Sequence, residues 1–194
     1  MKTLRIVAVF AFVAAIAALT LSTNAADLDK TTIFTFSSPV ELPGVALPAG
    51  TYVFKVLDSG ADRNVVQVYD KDQKHLYATC LTIPDYRPQP SDKAIVRFSE
   101  TSAGAPPAVK VWFYPGDPSG WEFVYPKSRA MELAKASNQA VPSMPSELTS
   151  NITKPVSSSK DAHVKAMSSA PLKAQRPNGS ETSISESFSA QAPN

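Results

Sequence analysis

Between Thr31 and Tyr125 apolar and polar side chains alternate along one short segment after another, and no stretch with helical spacing intervenes. Alternation with period two places successive side chains on opposite faces of an extended chain. Such a region folds most simply as strands whose inward faces meet. TTIFTF (31–36) puts Phe34 and Phe36 on one side, and TYVFKVLD (51–58) puts Tyr52, Phe54 and Val56 opposite Lys55. PVEL (39–42), VVQVYD (65–70), HLYATCLTI (75–83), AIVRF (94–98), AVKVWFY (108–114) and WEFVY (121–125) complete the set. In the LPAG turn (47–50), Pro48 fixes φ for the second position and Gly50 tolerates positive φ. SGADRN and KDQK supply further turns. PDYRPQPSD (84–92) holds three prolines and is expected to lie outside any central strand. Short strands with turn signals at about eight- to twelve-residue spacing predict an all-β fold, an antiparallel β-sandwich or small barrel of about seven or eight strands. A parallel α/β sheet is disfavoured, because no helical pattern separates the strands.

One helix is expected at KSRAMELAKAS (127–137), after Pro126. Ser128 is its candidate cap, and Ala130, Leu133 and Ala134 form a narrow apolar strip. A helix this short is marginal alone in water, so it must dock on the sheet. Composition then changes near Asn138. Residues 139–194 carry a single aromatic, Phe188, and are rich in Ser, Ala and Pro. Ordering a backbone costs about 1–2 kcal/mol per residue, and so polar a segment is expected to stay a disordered tail acting as a spacer or tether. Its sequons at Asn151 and Asn178 matter only where the host glycosylates exported proteins.

The chain begins with Lys2 and Arg5, an uncharged apolar run from Ile6 to about Leu21, and small residues at Thr23 and Ala25. This order predicts a signal peptide cut after Ala25, with Ala26 the next choice. The apolar run is somewhat shorter than the ~20 residues of a bilayer span, and no later stretch is apolar enough to be one. The expected division is therefore a signal peptide over 1–25, a β domain with its terminal helix over 26–138, and a tail over 139–194. Two of the 19 Lys and Arg residues leave with the leader, which balances the rest against 17 Asp and Glu. No basic stripe remains to attract phosphates, so nucleic-acid binding has no support. Cys80 is the one cysteine, so no internal disulfide forms although an export route permits them.

The stretch WFYPGDPSGWEFVY (112–125) pairs two aromatic triplets across a loop. Trp121, Phe123 and Tyr125 share one face, opposite Glu122. In the preceding strand Val109, Val111 and Phe113 are the expected core face, which turns Lys110, Trp112 and Tyr114 outward. Either the helix at 127–137 folds back over Trp112 and Tyr114, or these rings are exposed and stack, with Lys110 beside them, on a sugar or a partner protein.

Convergent catalytic chemistry is sparse. His75 begins a strand beside a turn, His163 lies in the tail, and Cys80 alternates with Leu76 and Ala78 as a small core residue. No Cys/His cluster has zinc spacing. Asp58, Asp62, Asp70 and Asp72 sit in two turns that lack the EF-hand pattern. No cofactor, metal site or catalytic residue is assigned. A cleft lined by Asp85, Tyr86, Arg87 and His75 would favour an enzyme, and a hollow barrel would favour carriage of an apolar ligand.

The pieces PVELPG, LPAGTYVFKVLDS, DRNVVQVY, IPDYRPQPSDKAIVRF and WFYPGD…EFVYPKSRAMELAKA together resemble a group of small exported all-β proteins common in Acidobacteria, for which no activity is assigned. The resemblance covers residues 31–138. It implies bacterial export and a single β domain, and it carries no catalytic residue across. The expected function is non-enzymatic: binding or scaffolding of a protein or polysaccharide partner, in the periplasm or outside the cell.

Overall fold

A computed structural model describes residues 30–59, 64–156 and 158–185; the expected leader, 1–25, lies outside them. The protein is mostly β, with open sheets. Nine strands form the first sheet: β1 (Thr31–Phe36), β2 (Val40–Leu42), β3 (Val45–Leu47), β4 (Gly50–Ser59), β5 (Asn64–Asp70), β6 (Leu76–Tyr86), β7 (Ile95–Ser99), β8 (Ala108–Phe113) and β9 (Ser119–Phe123). Their order is β1-β4-β5-β6-β9-β8. β7 flanks β8, and the β2–β3 hairpin meets β8 in parallel at Glu41↔Ala108.

Register carries one face unbroken across this sheet. Phe34 pairs with Tyr52, Phe54 with Val68, Val68 with Ala78, Thr82 with Phe123, and Trp121 with Trp112. Residues in direct register share a face, so Phe34, Tyr52, Phe54, Trp112, Trp121 and Phe123 point the same way. The sheet curls until its ends face each other. Phe34 of β1 meets Trp112 of β8 edge to face at 6.5 Å, and Phe36 meets Phe98 of β7 at 6.2 Å.

β6 runs three residues further than expected, through Pro84. Val124 donates its N–H to the Leu81 carbonyl and Arg87 donates to the Pro118 carbonyl, so the odd-numbered residues of β6 bond to β9. The nitrogen of Pro84 therefore points to the other side, where β5 has already ended at Asn64↔Thr82. Proline is tolerated where no ladder bond is lost.

The larger departure is the expected disordered tail. Described residues beyond Asn138 are folded, and they build a second sheet from β10 (Tyr125–Pro126), β11 (Val141–Met144), β12 (Lys173–Gln175) and β13 (Glu181–Ser183). A 3-10 helix (Ser146–Asn151) and a short helix lie between β11 and β12. The expected helix at Lys127–Ser137 is α1, and the later one, Ala162–Ser168, is α2. This tail is too polar to make a core of its own, but it does not have to. Its few apolar side chains, among them Met144, Ile152, Val164 and Met167, are buried against the rest of the molecule. The Ile152 carbonyl accepts the Thr79 N–H of β6 at 2.7 Å, and α2 packs on β5 and β6. Average composition measures whether a segment can fold alone, not whether it can complete a neighbour's surface.

Helix α1 has the expected bounds and buries Ala130, Leu133 and Ala134, but its cap is Pro126 rather than Ser128. Proline's fixed φ suits the residue at a helix start. The helix docks on the second sheet, mainly β11. Arg129 anchors it to β2 through a two-pronged pair with Glu41, Nε to Oε1 at 2.7 Å and Nη2 to Oε2 at 2.6 Å.

Ile152→Ala should cost about 2–5 kcal/mol in urea unfolding, the usual loss for a buried isoleucine. Ile33→Ala, at a side chain 63% exposed on β1, should change stability by less than about 0.5 kcal/mol. Equal effects of the two would mean that the segment after Asn138 does not contribute to the fold.

Candidate functional site

The aromatic hairpin is core on both of its faces. Trp112 is 0% exposed, which removes it as a stacking platform, and α1 packs mainly on β11 rather than on β8. It lies instead on the inner face of the curled sheet, 4.6 Å from Trp121 and 5.9 Å from Phe54 between ring centres. Val109, Val111 and Phe113 are buried as well. Phe113 has two cations against its ring, the Arg87 and Arg97 guanidiniums 4.9 and 5.4 Å from its centre. Strand alternation alone identified two faces but not that both are covered. Tyr114 is half-buried against the core, and Lys110 is half-buried with its Nζ donating to Gln139 Oε1 at 2.7 Å.

The loop between β8 and β9 is a clamp. Asp117 accepts from Lys30 Nζ at 2.7 Å and from the Ser119 N–H at 2.9 Å, while its carbonyl accepts from Arg87 Nε and Nη2. Burial by itself would raise the Asp117 carboxyl; the Lys30 and Ser119 hydrogen bonds and the charges of Lys30 and Arg87 hold it below its usual range. The cleft expected from Asp85, Tyr86, Arg87 and His75 does not assemble. Arg87 is committed to Asp117, Tyr86 is 68% exposed, and His75 sits at the opposite end of β6, roughly 30 Å away at strand rise. Cys80 is fully buried, and burial pushes its thiol far up. Asp70 caps its turn, accepting the N–H groups of Lys74 and His75. Asp62 and the Asp58 side chain lie outside the described residues.

Two features escaped sequence reading. The first is Glu122, placed by alternation on the outer face and 2% exposed there. Its backbone pairs with Ile83 of β6 and Val111 of β8, and its side chain makes no hydrogen bond or ion pair among the described residues. Its carboxyl lines a pocket of about 10 Å³, room for one water, with Lys110, Ser137 and Gln139. Burial pushes it up to about 8, against the pull of Lys110 and with a smaller push from Asp85.

The second is a cavity of about 300 Å³ at one end of the second sheet. Its floor is a polar chain. Lys127 at the start of α1 pairs with Glu181 at 2.6 Å, and Gln175 Nε2 donates to both Glu181 Oε1 and Ser143 Oγ. Ser143 Oγ donates on to the Lys173 carbonyl at 3.0 Å. Gln175 is 1% exposed, and its Oε1 has no partner among the described residues. The Lys127 and Gln175 hydrogen bonds, with the Lys127 and Lys173 charges, hold the Glu181 carboxyl below its usual range. Two charged residues on the wall, Lys173 and Glu147, have no ion pair among the described residues. Nearly all of this site comes from beyond Asn138, the part expected to be disordered; its sequence signal was limited to scattered charges. Compared with protein-family models, curated proteins and solved structures, the chain matches none.

The Glu122 carboxyl gives a signed pH dependence. Its ordinary value is 4.5, so between pH 4.5 and about 8 the unfolded chain is ionised there while the folded acid keeps its proton. Folding stability therefore falls as pH rises through that window. Glu122→Gln should remove this slope and leave the variant more stable than wild type at pH 8, by an amount on the order of a few kcal/mol. Urea unfolding of both proteins at pH 5 and pH 8 measures it; parallel changes in the two would show that Glu122 titrates normally.

Proposed function

We propose that the mature chain is an exported, non-enzymatic binding domain, which holds a small ligand in the cavity at the end of the second sheet. The cavity carries this reading: about 300 Å³ bounded by charged side chains is the lower end of ligand-pocket size. The first sheet, which we read as a small barrel left open between β1 and β7, is the rigid frame. Export follows from the charged start, the apolar run and the small residues before Ala26, and it agrees with the resemblance to exported bacterial β proteins. Placement at the cell envelope or outside it would bring the cavity to solutes that do not reach the cytoplasm. Among the described residues, no helix is long and apolar enough to cross a membrane.

Expressed with its own leader in a bacterial host, the chain should appear outside the cytoplasm with Ala26 as its first residue; an intact leader in the cytoplasmic fraction would reject export. A fragment-library screen by amide NMR on the purified protein should shift resonances of Met144, Glu147, Lys173 and Glu181. Hits confined to other surfaces would reject this cavity as the ligand site.

A further inference from the structure

The charges around the cavity are of two kinds. Lys127 and Glu181 neutralise each other across its floor at 2.6 Å. Lys173, at the start of β12, and Glu147, in the first turn of the 3-10 helix, line the same cavity, and neither has an ion-pair partner among the described residues. One cation and one anion, both exposed and without an ion pair among the described residues, thus line one open-sided cavity. Pro145, Pro171 and Met144 supply an apolar wall between polar groups.

These facts discriminate between ligand classes. A simple anion would satisfy Lys173 and be repelled by Glu147; a simple cation would do the reverse. A neutral sugar or an apolar molecule would strip water from both charges and return no opposite charge to either. A ligand carrying a carboxylate and an ammonium group answers both, and a short aliphatic part fits the proline wall. We infer that the cavity selects a zwitterion of amino-acid to dipeptide size, its carboxylate on Lys173 and its ammonium on Glu147. This rests on the reading of the cavity as a ligand site and adds the chemistry of the occupant.

Alanylalanine and its N-acetyl, C-amide and doubly blocked forms are the probes, titrated by amide NMR into the full mature chain. The free dipeptide should bind tightest. Blocking either end should weaken it about fivefold or more, since each block removes one charge-assisted contact. Lys173→Met should abolish the penalty for amidation and leave that for acetylation; Glu147→Gln should do the opposite. Both residues are at the surface, and unchanged spectra away from the cavity would verify that the variants fold. Equal binding of all four forms at the cavity would overturn the zwitterion while leaving the cavity a ligand site. Absence of any cavity shift with the dipeptides, when library fragments do shift it, would likewise overturn the zwitterion alone. Failure of dipeptides and library together would overturn both readings.

Discussion

The contact on which this structure depends is the meeting of Trp112 with Phe34 and Phe54. β1 and β8 lie at opposite ends of a run of hydrogen-bonded strands, so a ring contact between them exists only because the sheet curls. Sheets twist by the intrinsic handedness of the strand, but twist alone does not set how far they curl. Here the aromatic cluster fixes it: Trp112, Trp121, Phe54 and Phe34 fill the space between the two ends. Large aromatic side chains bury much area each, and edge-to-face packing adds a directional preference. The Lys30–Asp117 pair at the beginning of β1 lies over the same seam, with Lys30 5.4 Å from the Trp121 ring.

Curling creates an outer face as well as an inner one, and the outer face must also be covered. Leu81, Ile83, Val65 and Val111 lie there and are buried. α2 packs on β5 and β6, and Gln139, Ala140 and Pro142 line the small pocket at Glu122; both come from a segment whose composition would not sustain a fold by itself. The same coverage explains Glu122. A carboxyl on an outer face is ordinary while that face is wet; once the chain after α1 lies over it, the acid is dehydrated and holds its proton.

The second sheet extends this dependence to the cavity. β10 continues directly from the aromatic hairpin and recruits β11 in parallel, so the first sheet dictates where the second starts. Antiparallel pairing then brings β12 and β13 alongside, which carries Lys173 and Glu181 next to Ser143 and Lys127. Residues thirty or more positions apart in the chain become neighbours through backbone pairing, with no local pattern to announce it.

The chain's own sequence determined most strands of the first sheet, because period two is a local property that those segments between Thr31 and Tyr125 display; the three-residue β3 is too short to show it. It also determined α1, whose three small apolar residues recur at helical spacing and follow a proline, and the burial of Cys80 among alternating apolar neighbours. Tertiary structure alone decided which faces were wet. Alternation separates Trp112 from Val111 and Glu122 from Phe123, but it cannot say that both sides are covered. Nor could composition foretell that residues after Asn138 fold, since a polar segment orders itself only when another surface supplies the apolar area it lacks. Both decisions turn on burial, which depends on contacts distant in sequence.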